Sequence, residues 1–404
     1  MIMMNVPFSP PDIRDCDIEE VARALRSGWI TTGPRTKQFE ENIAQYVGSS
    51  RACCFNSQTA CAEMALRMME IGEGDEVITT SYTYTATASV ICHVGAKPVL
   101  IDTQKDSLEM DYDALEKAVS EKTKAVIPVD IAGIPCNYDR IFDIVESKKH
   151  LFKPSGEIQN AIGRVIVLAD TAHALGASRK NVMCGLIGDF SAFSFHAVKN
   201  LTTAEGGALT WRHIDGIDDE EIYKKLQLFS LHGQNKDALA KSKLGSWEYD
   251  VIGTWYKCNM TDIAAALGLK QLERYPELLE RRKQIITYYN NRFIPEGIMT
   301  LDHYNDVHSS SGHLYMTRVP GINAEQRNEL IRRMNDIGVA TNVHYKPLPM
   351  HTAYKNLGFD INDYPNAYAY FENEITLPLH TCLTDEQVEY VADSFIKTVK
   401  EFAR

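Results

Sequence analysis

Ser191-Ala-Phe-Ser-Phe-His-Ala-Val-Lys199-Asn-Leu-Thr-Thr-Ala-Glu-Gly-Gly207 decides how the rest of the chain reads. Its apolar start predicts a strand over Phe190 to Phe195, and the paired glycines lead into a second strand over Gly207 to Trp211. Lys199 falls in the turn between them. An amine at the carboxyl end of a strand, in apolar surroundings, loses hydration. That loss lowers its pKa and makes it a better nucleophile toward an aldehyde. Taken alone, a lysine in a turn is a solvated surface group, so its neighbours in the fold must decide.

Upstream, Arg164-Val-Ile-Val-Leu-Ala-Asp170-Thr-Ala-His173 reads as a buried strand ending in a carboxylate. Ligands of open α/β sheets bind at this carboxyl edge. A carboxylate buried there needs a partner, and a protonated pyridine nitrogen is a natural one. The plainer reading of Asp170 is an N-cap of a following helix. His173 lies one turn further on and reads equally as a satisfied core histidine.

Phe55-Asn-Ser-Gln-Thr59-Ala60-Cys61 ends a strand in small polar residues before a helix. Free backbone N–H groups there make an anion site for a phosphate ester, with Thr59 and Ala60 as donors. In Thr80-Ser-Tyr-Thr-Tyr84-Thr-Ala-Thr-Ala, Tyr84 is placed to lie on an aromatic ring, whereas Tyr82 reads as core. Phosphate site, aromatic, acid and amine follow one another after strands of one sheet. A single ligand, pyridoxal 5'-phosphate (PLP), accounts for the set.

Across the first two-thirds of the chain, short apolar runs alternate with amphipathic stretches. Helices are expected near 36–46, 59–69, 84–94, 111–119 and 138–146, and strands near 52–55, 75–79, 98–101, 125–129 and 164–168. This alternation predicts an α/β fold with a mainly parallel, doubly covered sheet. Residues 260–291 carry few breakers and read as one long connecting helix. Beyond Pro295 the texture becomes α+β, with strands at 311–319 and 340–345 and helices at 324–335 and 384–400. The expected organisation is a large PLP-binding domain over 1–260, a connecting helix over 261–294 and a small C-terminal domain over 295–404.

Composition narrows the function. A formal net charge of −12 with no basic run argues against nucleic acid or an anionic membrane as a partner. No stretch of about 18 apolar residues is present to span a bilayer. Met1 to Pro11 lacks the basic and long apolar regions of a secretory leader, so a cytoplasmic location is expected. There the sequons Asn200-Leu-Thr202 and Asn259-Met-Thr261 carry no weight. The nine cysteines form no Cys-x-x-Cys pair, and are expected as buried free thiols with no metal site.

These segments resemble the DegT/DnrJ/EryC1/StrS family of sugar aminotransferases over nearly the whole chain. Besides the lysine block, the similarity includes Trp29-Ile-Thr-Thr-Gly-Pro34, Phe39-Glu40, Ala172-His-Ala-Leu-Gly176, Tyr256-Lys-Cys-Asn259-Met-Thr-Asp262, His344-Tyr-Lys-Pro347 and Leu377-Pro-Leu-His380. The resemblance implies a fold-type I aminotransferase in which Lys199 holds PLP as a Schiff base and Asp170 pairs with the pyridine nitrogen. By the same resemblance His173 approaches the phenolic oxygen, Tyr84 stacks on the ring, and Thr59, Ala60 and Ser194 contact the phosphate. Asn259 reaches the cofactor phosphate of a neighbouring subunit, so a homodimer is implied. Two positions depart from the pattern: Gln58 and Ala204 stand where glycine is common.

The reaction so implied is transamination of a nucleotide-linked 4-keto sugar, a 6-deoxy hexose, with glutamate as amino donor. Amination at C3 is the alternative regiochemistry. PLP-dependent sugar dehydration is a rival, but relatives that dehydrate tend to carry histidine in place of the lysine. A non-catalytic regulator or scaffold is the rival from another class, and retention of both Lys199 and Asp170 argues against it.

Overall fold

The structure, a computed structural model, describes residues 3–236 and 248–402. Its centre is a seven-stranded sheet of β1 (Ala52–Phe55), β2 (Glu76–Thr80), β3 (Lys97–Ile101), β4 (Thr123–Ile127), β5 (Ile166–Asp170), β6 (Phe190–Ser194) and β7 (Gly207–Trp211). The order is β1-β7-β6-β5-β4-β2-β3. Neighbours from β6 through β3 run parallel, and β7 alone runs against both of its neighbours. The expected mainly parallel α/β architecture is the one observed.

Both faces of the sheet are covered, and the side chains sort by the two-residue period of a strand. Cys54, Ile78, Val126, Val167, Phe193 and Ala208 point into one core. Cys53, Phe55, Val77, Ala125, Leu168 and Leu209 point into the other. A third core joins Tyr289, Phe293, Tyr315, Ile375 and Phe395 around a small sheet of Met299–Thr300, Tyr315–Arg318 and Glu374–Leu377. Val6 is packed in this core too, because residue 6 forms a parallel bridge with Val339.

Three differences from the sequence reading have local causes. Residues 260–291 form two helices, Asp262–Glu273 and Tyr275–Phe293, broken at Arg274. Pro276 explains the break: it has no N–H to bond back to Leu272 and its ring clashes with that carbonyl, yet it suits the first turn of a new helix. Residues 340–345 form no strand, only an isolated bridge at Asn342, with another just before them at Val339. Helices at Asp15–Arg26 and Asp219–Ser230 were not anticipated.

All nine cysteines are free thiols. Cys53, Cys54 and Cys61 are buried as expected, but Cys16, Cys92 and Cys382 are exposed. Among the described residues no helix is long and apolar enough to cross a membrane.

Candidate active site

Asp170 is the last residue of β5 and is only 5% exposed. No helix follows it, since residues 171–177 are turns, so the N-cap reading of this residue fails. Side-chain donors, Thr87 and Gln58, and a backbone donor hold the carboxylate. Thr87 Oγ1 donates to Oδ2 at 2.7 Å, and the Ala172 N–H donates to Oδ1 at 3.2 Å. Burial pushes its pKa up, while these hydrogen bonds and the charge of Lys199 oppose the rise. The result is a desolvated carboxyl group suited to a cationic partner.

Lys199 sits in the loop between β6 and β7, as expected. Burial lowers its pKa to about 8, against the pull of Asp170 in the other direction. Lys199 and Asp170 line the same cavity of about 500 Å³. Ser57 to Thr59 enter it from the end of β1, Thr83 and Tyr84 from the end of β2, and Ser194 from the end of β6. β1, β2, β5 and β6 run in one direction, so all these ends meet at one edge of the sheet.

The helix Gln58–Met68 points its N-terminus into this cavity. Ser57 caps it, accepting the Ala60 N–H at 3.1 Å on Oγ. Ala60 therefore sits just behind the cavity wall, and Thr59, Gln58 and Ser57 form the wall itself. Gly207 makes the close approach possible. A Cβ there would lie 2.6 Å from Gln58 N and 2.7 Å from Phe193 O. Ala204 adopts a left-handed conformation with φ of 68°, which costs about 1 kcal/mol relative to glycine. The backbone thus explains why glycine suits position 204.

His173 also lines the cavity and is buried. Its Nδ1 accepts the Ala132 N–H at 3.2 Å, which leaves the proton on Nε2, 3.1 Å from Tyr345 Oη. Tyr84 is 61% exposed at the cavity wall, leaving one ring face free to cover a ligand. Tyr82 is fully buried, as the sequence implied.

Asn259 does not line this cavity. It forms a bridge with Phe55, and its side chain bonds to the buried Thr32 and Met260. Among the residues of the site with no role assigned from sequence are Thr87, His344 and Tyr345. The last two belong to His344-Tyr-Lys-Pro347, where composition alone gives no hint of a site.

The family comparison follows from this geometry. A model of the DegT/DnrJ/EryC1/StrS aminotransferase family matches residues 11–396. The chain belongs to this family. The Bacillus subtilis spore coat polysaccharide biosynthesis protein SpsC is 39% identical, the alignment covering 98% of this chain and 97% of SpsC. The Streptococcus pneumoniae protein Spr1654, named as a sugar aminotransferase, superposes in its PMP form with a TM-score of 0.96 and 56% identity, covering 98% and 100% of the two chains. Its PLP form gives a TM-score of 0.95. Helicobacter pylori PseC, an aminotransferase of pseudoaminic acid biosynthesis, aligns at 30% identity and a TM-score of 0.86 over 99% of this chain and 100% of its own.

The protein is a PLP-dependent sugar aminotransferase of fold type I. The cavity fits PLP on chemical grounds. It offers a helix N-terminus for a phosphate, a desolvated carboxylate for a ring nitrogen, an exposed aromatic face and an amine of lowered pKa.

Proposed function

We propose that the enzyme transfers the amino group of glutamate to a nucleotide-linked 4-keto sugar, a 6-deoxy hexose, and works as a cytoplasmic homodimer. One observation carries the reading: Asp170, at the end of β5, and Lys199, in the loop between β6 and β7, line one cavity. Similarity to SpsC and PseC along their full lengths supports a sugar destined for a glycan.

When bound, PLP supplies an aldehyde that captures amines and a ring that withdraws electrons. Asp170 keeps a proton at the ring nitrogen, and Thr87 and Ala172 orient its carboxylate. The Ser57–Thr59 turn and Ser194 hold the phosphate through N–H and hydroxyl groups, with Ala60 fixing the turn through Ser57. Tyr84 covers one face of the ring. His173 directs Nε2–H toward the phenolic oxygen. Lys199 would act as general base and acid, taking up and giving back a proton at Nζ. Its lowered pKa leaves far more free base near neutrality than an ordinary lysine has. Asn259, outside this cavity, serves the phosphate of a second subunit.

The test is a panel of nucleotide keto sugars with glutamate, reading the position of the new amine by NMR. Amine at C4 supports the reading, and amine at C3 moves the regiochemistry. No amine from any member of the panel overturns it. The transaminase reading gains over a dehydratase because Lys199 is present.

A further inference from the structure

Behind His344 lies a buried chain of polar groups that the transamination steps do not use. Glu374, in the strand Glu374–Leu377, is fully buried. Its Oε2 accepts the His344 backbone N–H at 2.9 Å, and its Oε1 lies 2.5 Å from Thr376 Oγ1. Thr376 Oγ1 in turn lies 2.9 Å from His344 Nδ1. The His344 side chain lines the Lys199 cavity.

A hydroxyl has one proton, so the three groups must share a direction. With Glu374 ionised, Thr376 donates to Oε1 and accepts from Nδ1–H, and His344 Nε2 carries a lone pair. With Glu374 protonated, Oε1–H donates to Oγ1 and Thr376 donates to Nδ1, so the histidine proton sits on Nε2. We propose that Glu374 acts through Thr376 as a positioning residue that sets whether His344 presents a hydrogen-bond donor or an acceptor to the substrate. The inference rests on the cavity being the substrate site.

The surroundings keep both states accessible. Burial raises Glu374 to about 8, with the Thr376 hydroxyl, the His344 N–H and Arg327 acting against it. Arg327 faces it from the helix Ala324–Asp336, Tyr370 from Pro365–Glu372, and Tyr82 from the loop after β2. His344 is held neutral, its pKa lowered to about 4 by burial and then by Lys199. His173 and His313, themselves lowered by burial, and Tyr345 complete the set facing it. A neutral histidine of switchable polarity suits an enzyme whose two substrates share one site. A carboxylate needs a donor, whereas a sugar hydroxyl can be met by an acceptor.

The test is neutron crystallography of the PLP-loaded enzyme well below and well above pH 8. Wild type should carry deuterium on His344 Nε2 at the lower pH and on Nδ1 at the higher. Glu374→Gln donates to Thr376 at every pH, so Nε2 should stay deuterated at both. Thr376→Val should give one unchanging tautomer, and Thr376→Ser should restore the change. In parallel, glutamate binding should weaken about tenfold above pH 8 in wild type, as a charged hydrogen bond is lost, and not in Glu374→Gln. A single wild-type tautomer at both pH values overturns the inference, as does an unaltered pH dependence in Glu374→Gln. If glutamate is not turned over at all, the proposed reaction fails, while the tautomer measurement still decides this point.

Discussion

Thr87 Oγ1 donates to Asp170 Oδ2 at 2.7 Å, linking the helix after β2 to the final residue of β5. The bond joins two segments 83 residues apart at the point where we propose that the cofactor ring nitrogen is held. This hydroxyl, the Ala172 N–H and the Gln58 side chain replace the water that the carboxylate lost.

Thr87→Val keeps the shape and removes the donor. A hydrogen bond to a charged group contributes about 1.5–3 kcal/mol. PLP should therefore bind about tenfold to a hundredfold more weakly, measured by absorbance titration of the apo-protein. Thr87→Ser should retain most of the affinity. Equal affinity for the valine variant would show that Asp170 needs no such support.

Lys199 has its folded pKa lowered from 10.5 to about 8. The amine loses its proton as pH rises through the lower value, so the reactive free base is abundant above about pH 8. Below that pH, capture of PLP by the apo-protein should speed up about tenfold per unit, then level off. A midpoint near the ordinary lysine value would refute the desolvation argument. Lys199→Ala should capture no PLP and support no turnover.

Gly207→Ala places a methyl group against Ser57 C and Gln58 N, each at 2.6 Å, and Phe193 O at 2.7 Å. All three are backbone atoms and cannot swing aside. Overpacking of this kind costs about 1–3 kcal/mol. The variant should lose that stability in chemical unfolding and also bind PLP more weakly, because the shifted turn carries the anion site. Loss of neither property would mean that the strand can move at no cost.

Glu40 is buried, accepts the Cys54 N–H at 2.8 Å and the Tyr223 hydroxyl at 2.7 Å, and has its pKa raised from 4.5 to about 7, mainly by burial. The folded chain keeps a proton that the unfolded chain releases at about 4.5. Its contribution is thus fully present below pH 4.5, declines as pH rises to about 7, and is then constant. Glu40→Gln removes this titration. The stability difference between wild type and variant should change between these two pH values, by at most about 3 kcal/mol, and stay flat outside them. A difference independent of pH would place the proton elsewhere.

Local chemistry made much of this protein legible. Lys199 stood out because it interrupts an apolar run between two strands. Asp170 stood out because it ends one. Thr59 could be placed because small polar residues precede a helix. The break at Arg274 was also written locally, in Tyr275-Pro276, and was masked by the helical spacing of leucines on either side. Residues 340–345 misled because their β-forming side chains pair only at isolated bridges.

The order of residues alone determined the alternating elements and the doubly covered sheet, and singled out Asp170 and Lys199 as candidates, since periodicity and desolvation act within a few residues of each group. Only the tertiary structure decided which distant groups complete the site. Thr87 reaches Asp170, and Tyr345 reaches His173 across 172 residues, because parallel strands bring their carboxyl ends to one edge and the C-terminal module folds back over it. Such contacts depend on chain crossovers and on shared burial in the Tyr82–Tyr370 core. Neither leaves a periodic mark on the residues it joins.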